Sequence, residues 1–256
     1  MRSASDMTNL NELIVMAESG DLESQDELSR RYFMGDGVAK DINQSIYWCS
    51  KAAGQGNVVS MYNLGLIYAS IEDYQNAARC YSAAADYGHS NAQNNLAGMY
   101  RDGRGVPKDI DRAIHLYLLA IEQGNLSACF NLAQLYHLGP RIDYEKAFFY
   151  YSKAAEQGHV ASQYNLSVMY REGVFVHKDM ALSFKWCLAA AESGDADAQY
   201  NVALMYDMGD GVQKNLQQAI RWYTEAARQG DPRGHFRVGV KYEKGAGVQV
   251  DLGTAK

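Results

Sequence analysis

The sequence of 256 residues lacks several features on which whole classes of function depend. It has only three prolines, which favours a mostly helical chain because proline interrupts helix interiors. It also lacks an excess of positive charge, since its formal net charge is −6. Domains that bind the phosphate backbone of nucleic acids are usually basic. We therefore expect no nucleic-acid partner.

Long apolar runs are missing as well. A helix that crosses a bilayer needs about 20 mostly apolar residues, whereas the apolar run over residues 14–17 is far shorter. We expect no direct membrane insertion. The first five residues have no apolar signal-peptide core, and Met7 could be the natural start. We expect a cytoplasmic protein; a periplasmic or secreted location stays open if an export signal has been removed.

The motifs of common active sites and metal sites are also absent. Cys49, Cys80, Cys129 and Cys187 are widely spaced and form no CxxC pair, which favours free thiols in a reducing compartment. The sequence has no HExxH zinc motif, no GxSxG nucleophile elbow and no nucleotide-binding glycine loop. We expect no catalytic activity, no metal and no cofactor.

What the sequence does contain is a repeat of 32 to 36 residues. Its units begin near Gly20, Gly56, Gly88, Gly124, Gly158, Gly194 and Gly230. We predict an N-terminal segment with a capping helix over residues 1–19, followed over residues 20–256 by seven helical hairpins, the last one incomplete.

Each repeat divides into two predicted helices. In the first helix a small residue, an apolar residue and a tyrosine recur at i, i+4 and i+8, as in Ala92, Leu96 and Tyr100, which keeps one stripe facing inward. Four repeats continue with a GxGV turn at Gly35, Gly103, Gly209 and Gly245, in which paired glycines permit positive φ. The predicted capping residues of the second helices are Asp41, Asp73, Asp109, Asp143, Asp179, Asn215 and Asp251.

The pattern A-x-x-x-L-x-x-x-Y-x-x-G-x-G-V-x-K-D-x-x-x-A, followed by an aromatic pair and AA-x-x-G, resembles the Sel-one-like repeat family, a relative of the tetratricopeptide repeat. The resemblance covers residues 20–255. It implies an all-α fold, a right-handed superhelical α/α solenoid of about seven repeats, whose first helices line a concave face. It also implies a bacterial adaptor or scaffold that binds a protein or peptide. The chain lacks the paired cysteines of some family members, which weakens an extracellular location.

Asparagines recur on the predicted concave face, often preceded by an aromatic residue. An asparagine amide can donate to and accept from a peptide backbone, and aromatic rings give stiff contact area. Charge varies at a second position, just after the repeated tyrosine. The candidate partner-binding residues are Asn63, Asn95, Asn131, Asn165, Asn201, Tyr62, Phe130, Tyr164, Tyr200, Arg101, His137 and Arg171.

Alternatives stay open for both the residues and the function. The asparagines and tyrosines could instead tie neighbouring helices together, and the variable charges could belong to a solvated surface. His89 and His159 follow a repeat glycine, where aspartate or asparagine stands elsewhere, so we predict helix-start residues rather than ligands. The expected function is a non-catalytic protein–protein interaction adaptor. The alternatives are an immunity or inhibitor-type protein for a secreted effector or toxin, and the repeat domain of a larger signalling or membrane-associated protein.

Overall fold

The computed structural model describes residues 4–245, and every regular element in that range is an α-helix. The helices are α1 (Ala4–Glu18), α2 (Leu22–Met34), α3 (Ile42–Gly54), α4 (Val58–Ser70), α5 (Tyr74–Asp86), α6 (Ser90–Asp102), α7 (Ile110–Glu122), α8 (Leu126–Leu138), α9 (Tyr144–Ala155), α10 (Val160–Glu172), α11 (Met180–Glu192), α12 (Ala196–Met208), α13 (Leu216–Arg228) and α14 (Pro232–Lys244). None of these helices combines the length and the apolar character needed to cross a bilayer.

The chain divides into two compact units, residues 1–128 (unit 1) and residues 129–256 (unit 2), and the division falls within α8. In unit 1 each helix from α1 to α7 packs on its neighbour in sequence, and in unit 2 the same holds from α9 to α14. Such nearest-neighbour packing is typical of a solenoid. The predicted all-α solenoid of helical hairpins is confirmed. The boundary between residues 1–19 and the repeats stays a prediction.

The even-numbered helices from α2 to α14 are the first helices of the hairpins. Their junction with the second helix depends on the predicted capping residues, as Asp109 illustrates. Its backbone N–H donates to the carbonyl of Tyr100 at 2.9 Å, and its carboxylate accepts from the N–H of Arg112 at 3.0 Å. One residue therefore closes the hairpin and starts the next helix. The six predicted caps from Asp41 to Asn215 are confirmed, whereas Asp251 lies outside the described residues.

The glycine turns are confirmed where the structure describes them. Gly103 and Gly105 have φ of 75° and 69°, a region that favours glycine. The last turn is described only as far as Gly245. The second repeat, which lacks the motif, turns through Glu72 at a φ of 61°.

The cores of both units combine small residues with buried tyrosines. In unit 1 the ring of Tyr81 packs among Ala77, Ala92 and Leu96. In unit 2, Tyr223 is fully buried in a cluster with Val202. The repeated alanines let the helices approach closely enough for a ring to fill the space between them. The most deeply buried tyrosines are therefore on the second helices, whereas the sequence directed attention to those of the first helices.

Candidate partner-binding site

All twelve candidate residues lie on the first helices, and each of them is half-buried. Unit 1 contains Tyr62, Asn63, Asn95 and Arg101, and unit 2 contains Phe130, Asn131, His137, Tyr164, Asn165, Arg171, Tyr200 and Asn201. The candidates therefore form one set in each unit. Because each is half-buried, part of its side chain stays accessible to a partner.

Three of the asparagines are engaged within the fold. The amide of Asn201 donates to the hydroxyl of Tyr164 at 3.0 Å and so ties α12 to α10. The amide of Asn165 donates to the carbonyl of Ala161, one turn earlier in its own helix, at 2.7 Å. Asn95 hydrogen-bonds the phenol of Tyr81. A partner that bound one of these three amides would first have to break the internal hydrogen bond of that amide.

Asn63 differs from these three asparagines. Its amide makes no hydrogen bond to any residue that the structure describes, although the side chain is half-buried. It borders a pocket of about 220 Å³ between α2 and α4. The accessible part of this amide can donate to and accept from the backbone of a partner.

The pocket beside Asn63, here called the α2–α4 pocket, has mostly apolar walls. Phe33 of α2 and Leu66 and Ile67 of α4 form its sides, and Ser29 and Cys49 lie at its base. Leu66 is 41% exposed, so this wall faces solvent. An apolar cleft with one unengaged amide at its edge is suited to a side chain and the backbone that carries it.

The charged groups of the α2–α4 pocket already have hydrogen-bond partners within the fold. The Asp26 carboxylate accepts from the hydroxyl of Ser60 at 2.7 Å. The Arg30 guanidinium bridges Glu27 and Asp36, each at 2.8 Å. The pocket therefore offers a partner apolar contact and an amide, while the Arg30 charge is engaged in ion pairs and the Asp26 carboxylate is held by one hydroxyl.

The thiol of Cys49, at the base of the pocket, is not suited to act as a nucleophile. Burial raises the pKa of the Cys49 thiol to about 12, so it stays protonated near neutral pH, and it donates to the carbonyl of Ser60. The equivalent Cys187 of unit 2 also has its pKa raised to about 12 by burial. All four cysteines are unpaired in the structure. Within the described residues, no group of three or more potential metal ligands comes together.

Unit 2 has a smaller pocket at the same repeat position, between α10 and α12. Its volume is about 120 Å³, and Asn201, Leu204 and Cys187 correspond to Asn63, Leu66 and Cys49. The position of Phe33 is taken here by Arg171. The more polar lining and the occupied asparagine make this pocket less receptive to an apolar side chain.

The candidate aromatic residues pack against the first turns of neighbouring helices. The ring of Tyr62 stacks on His89 at 4.6 Å, and the ring of Phe130 lies 5.2 Å from His159. The predicted role of both histidines at helix starts is confirmed, because Nδ1 of each accepts a backbone N–H at the start of its helix. The ring of Tyr200 lies beneath the guanidinium of Arg233 at 4.5 Å. These rings therefore have packing partners already.

The three candidates that follow the repeated tyrosine also contact the fold. Arg101 forms an ion pair with Asp102 at 2.8 Å, and Arg171 pairs with its neighbour Glu172 at 2.9 Å. His137 lies edge-on to the ring of Tyr151, and its buried Nδ1 has no hydrogen-bond partner in the described part of the chain. Burial lowers the pKa of His137, which favours the neutral ring.

The sequence analysis missed a set of buried glutamines on the first helices. The amide of Gln25 donates to the carbonyl of Ala17 at 2.8 Å, and Gln199 repeats this contact with Ala191 at 3.2 Å. In unit 1 Gln25 also accepts from Gln55 at 3.0 Å. The recurrence of glutamine two residues before the asparagine is visible in the sequence and could have revealed this contact between successive helices.

The profile described as the Sel1 repeat matches residues 22–57, 58–89, 90–125, 126–159, 160–195, 196–231 and 232–256. Among solved structures, a protective antigen of uropathogenic Escherichia coli that displays an SLR fold has a TM-score of 0.83 and 37% identity, covering 96% of this chain and 54% of that one. A Sel1 repeat protein from Oxalobacter formigenes has a TM-score of 0.72 and 29% identity, covering 99% of this chain and 75% of that one.

Among curated proteins, protein sel-1 homolog 2 of Mus musculus is 42% identical over 78 residues, which are 28% of this chain and 11% of the relative. A putative sel1-like repeat-containing protein of Acanthamoeba polyphaga mimivirus is 29% identical over 127 residues, covering 50% of this chain and 24% of the relative. The chain thus spans a quarter or less of these curated relatives, and about half of the Escherichia coli antigen. The helical hairpins and the seven profile matches together show that the chain belongs to the Sel1 repeat family.

Proposed function

We propose that the chain is a non-catalytic protein-interaction module that holds an extended segment of a partner protein on the first helices of unit 1. In this proposal one apolar side chain of the segment enters the α2–α4 pocket, and the amide of Asn63 binds the backbone beside it. The unengaged amide of Asn63, next to exposed apolar walls, is the observation that carries the proposal.

The size of the pocket supports a peptide side chain as its ligand. Pockets for small molecules usually measure about 300–1,000 Å³, whereas the α2–α4 pocket measures about 220 Å³. A single side chain in such a pocket needs further contacts along its backbone to bind well, because ordering a peptide costs free energy. The asparagine amide can provide such a contact without selecting the peptide sequence.

The family supports the same class of function, because Sel1 repeats form a protein-interaction fold. The chain spans only part of the curated relatives. An independent adaptor and the repeat domain of a larger protein would use the first helices in the same way. The proposal therefore concerns the surface that binds rather than the pathway in which it acts.

The test begins with selection of a binding peptide from a displayed random library against the immobilised chain. The dissociation constant of that peptide is then measured for the wild type and for Asn63→Ala. We expect a loss of about tenfold, since removal of one hydrogen bond from a desolvated site costs about 1–2 kcal/mol.

Asn165→Ala provides the matched control, because the amide of Asn165 is bound within its own helix. We expect this variant to bind the peptide within about twofold of the wild type. Equal affinities for wild type, Asn63→Ala and a second variant with a charged pocket wall, Leu66→Lys, would rule out the α2–α4 pocket as the binding surface.

A further inference from the structure

Unit 2 has an exposed aromatic cluster on α9 and in the turn between α10 and α11. Phe148 and Phe149 lie on α9, and Phe175 lies in the turn between α10 and α11. The rings of Phe148 and Phe175 are 5.8 Å apart. Phe149 is 57% exposed and Phe175 is 53% exposed. Large apolar side chains exposed together mark interaction sites more often than isolated ones do.

At two equivalent junctions of the described chain, α5 with the turn after α6 and α11 with the turn after α12, these positions do not hold three aromatic residues. The equivalents of Phe148, Phe149 and Phe175 are Ala78, Arg79 and Gly105 in unit 1, and Phe184, Lys185 and Gly211 later in unit 2. Both of these junctions have an exposed cation on the helix and a glycine in the turn, whereas α3 has the exposed Tyr47 at the position of Phe149. The cluster is therefore a local departure from the repeat rather than a requirement of it.

The backbone at Phe175 shows that the repeat itself favours glycine there. Phe175 has a φ of 67°, in the left-handed region that bulky residues rarely adopt. At Gly105 an added Cβ would collide with the carbonyl of Tyr74, and at Gly211 it would collide with that of Met180. A phenylalanine at this position is unfavourable for folding. Strained backbone of this kind is common at functional sites, so Phe175 is a candidate for a role in binding.

The cluster borders a pocket of about 620 Å³, against about 320 Å³ at the equivalent place in unit 1. Besides the three rings, the pocket is lined by Ser152 and by the first residues of α9 with their cap. The pocket is larger where the exposed ring of Phe175 stands in place of the closely packed Gly105. It is large enough for one or two apolar side chains of a partner.

The charge at the edge of this pocket favours a basic partner. The Asp143 carboxylate pairs with Lys146 at 2.9 Å and caps α9. The exposed Glu145 has no ion-pair partner within the described residues, and its equivalents are Gln75 and Ala181. Compared with the α5 and α11 copies, the site therefore lacks a cation at position 149 and has an anion at position 145; in α7 the equivalent residue is also acidic, Asp111.

We propose that the cluster of Phe148, Phe149 and Phe175 is a second docking site, for a protein segment that presents a leucine-like or aromatic side chain next to a lysine or arginine. The apolar side chain packs among the three rings, and the basic group pairs with Glu145. This site does not depend on the α2–α4 pocket, and a partner could use either one alone.

The test uses ¹⁹F NMR of the whole chain labelled with 4-fluorophenylalanine at its 7 phenylalanines. The probes are three acetylated, amidated peptides: Leu-Lys-Leu, Leu-Glu-Leu, which changes only the charge, and Ser-Lys-Ser, which replaces both apolar side chains. The signals of Phe149 and Phe175 are identified by their loss in Phe149→Arg and Phe175→Gly. We expect the Leu-Lys-Leu peptide to shift both signals, and not that of Phe236, which is 68% exposed.

We expect the Leu-Glu-Leu peptide to bind about fivefold more weakly, since one surface charge pair contributes up to about 1 kcal/mol. Glu145→Gln should remove this difference while leaving the shift by leucine in place. The Ser-Lys-Ser peptide should shift neither signal. Phe149→Arg, which installs the residue of position 79, should weaken Leu-Lys-Leu binding at least tenfold.

Phe175→Gly separates a binding role from a structural one. It should weaken Leu-Lys-Leu binding while the urea midpoint of the chain stays the same or rises, because glycine suits the turn better than phenylalanine. Equal binding of the lysine and glutamate peptides would overturn the proposal. So would equal shifts at Phe236, or signals that move only with protein concentration, as expected if a second copy covers the cluster.

Discussion

Replacement of Gly65 by alanine should destabilise unit 1, although the same replacement at Gly98 should stabilise it. Both glycines lie inside first helices, Gly65 in α4 and Gly98 in α6. A Cβ at position 65 would lie 2.5 Å from Cε1 and 2.6 Å from Cδ1 of Tyr81. A Cβ at position 98 would have only the Tyr117 hydroxyl nearby, at 3.8 Å.

The magnitudes follow from two opposing terms. Alanine is favoured over glycine in a helix by about 1 kcal/mol, and this gain applies at both positions. At position 65 the ring of Tyr81 would have to move by about 1 Å, and overpacking of a core usually costs about 1–3 kcal/mol. Tyr81 is only 3% exposed and its ring is close to that of Tyr62, so it has little room to move. We expect Gly98→Ala to stabilise by about 1 kcal/mol and Gly65→Ala to destabilise by about 1 kcal/mol.

Urea denaturation followed by circular dichroism measures both changes. The two variants should move the midpoint in opposite directions. Combining Gly65→Ala with Tyr81→Leu tests the cause, because the smaller side chain makes room for the new Cβ. The double variant should therefore be more stable than the sum of the two single changes predicts. If Gly65→Ala raised the midpoint as much as Gly98→Ala does, the close packing of α4 on Tyr81 would be wrong.

Two further predictions concern unit 2. Burial lowers the pKa of His159, and its Nδ1 caps α10 only in the neutral ring; this stabilisation is present above the unfolded pKa of about 6.5 and is lost as the pH falls through the lower folded value. Between pH 7.5 and 5 the free energy of unfolding, measured by urea denaturation, should therefore fall by about 1 kcal/mol more for wild type than for His159→Asp, and equal falls would exclude the cap as the cause. Lys241 and Asp207 pair at 2.6 Å with 13% and 17% of their side chains exposed, so Asp207→Ala should cost about 2–3 kcal/mol; if the double variant with Lys241→Ala recovered no stability relative to additivity, the two groups would not be coupled.

The repeat, the caps and the glycine turns could be predicted from the sequence because each depends on residues close together in the chain. Asp109 caps α7 through an amide three residues away. The partners of the asparagines could not be predicted in this way. Asn201 contacts Tyr164, 37 residues earlier, while Asn165 turns to its own helix. An asparagine at the same repeat position therefore has a different hydrogen-bond partner, depending on the residues that surround it in the fold.

The aromatic cluster shows a second limit of the sequence pattern. Phe175 stands in the turn where Gly105 and Gly211 stand in other repeats, and this departure is visible in the letters alone. The sequence does not show that the ring of Phe148 lies 5.8 Å from the ring of Phe175, because this contact joins two different hairpins. Local rules predicted the elements, whereas the contacts between repeats decide which side chains stay available to a partner.

The most direct test of the proposed function is site-specific photo-cross-linking to the selected peptide. p-Benzoylphenylalanine is placed at Leu66, in the wall of the α2–α4 pocket, and in a separate variant at Tyr87, which is 68% exposed beyond the end of α5. At a peptide concentration near the wild-type dissociation constant, binding in the pocket predicts a cross-linked product from position 66, strongly reduced when Asn63→Ala is added, and none from position 87. Equal products from both positions, or a product from position 87 alone, would contradict the claim that the first helices of unit 1 bind the partner.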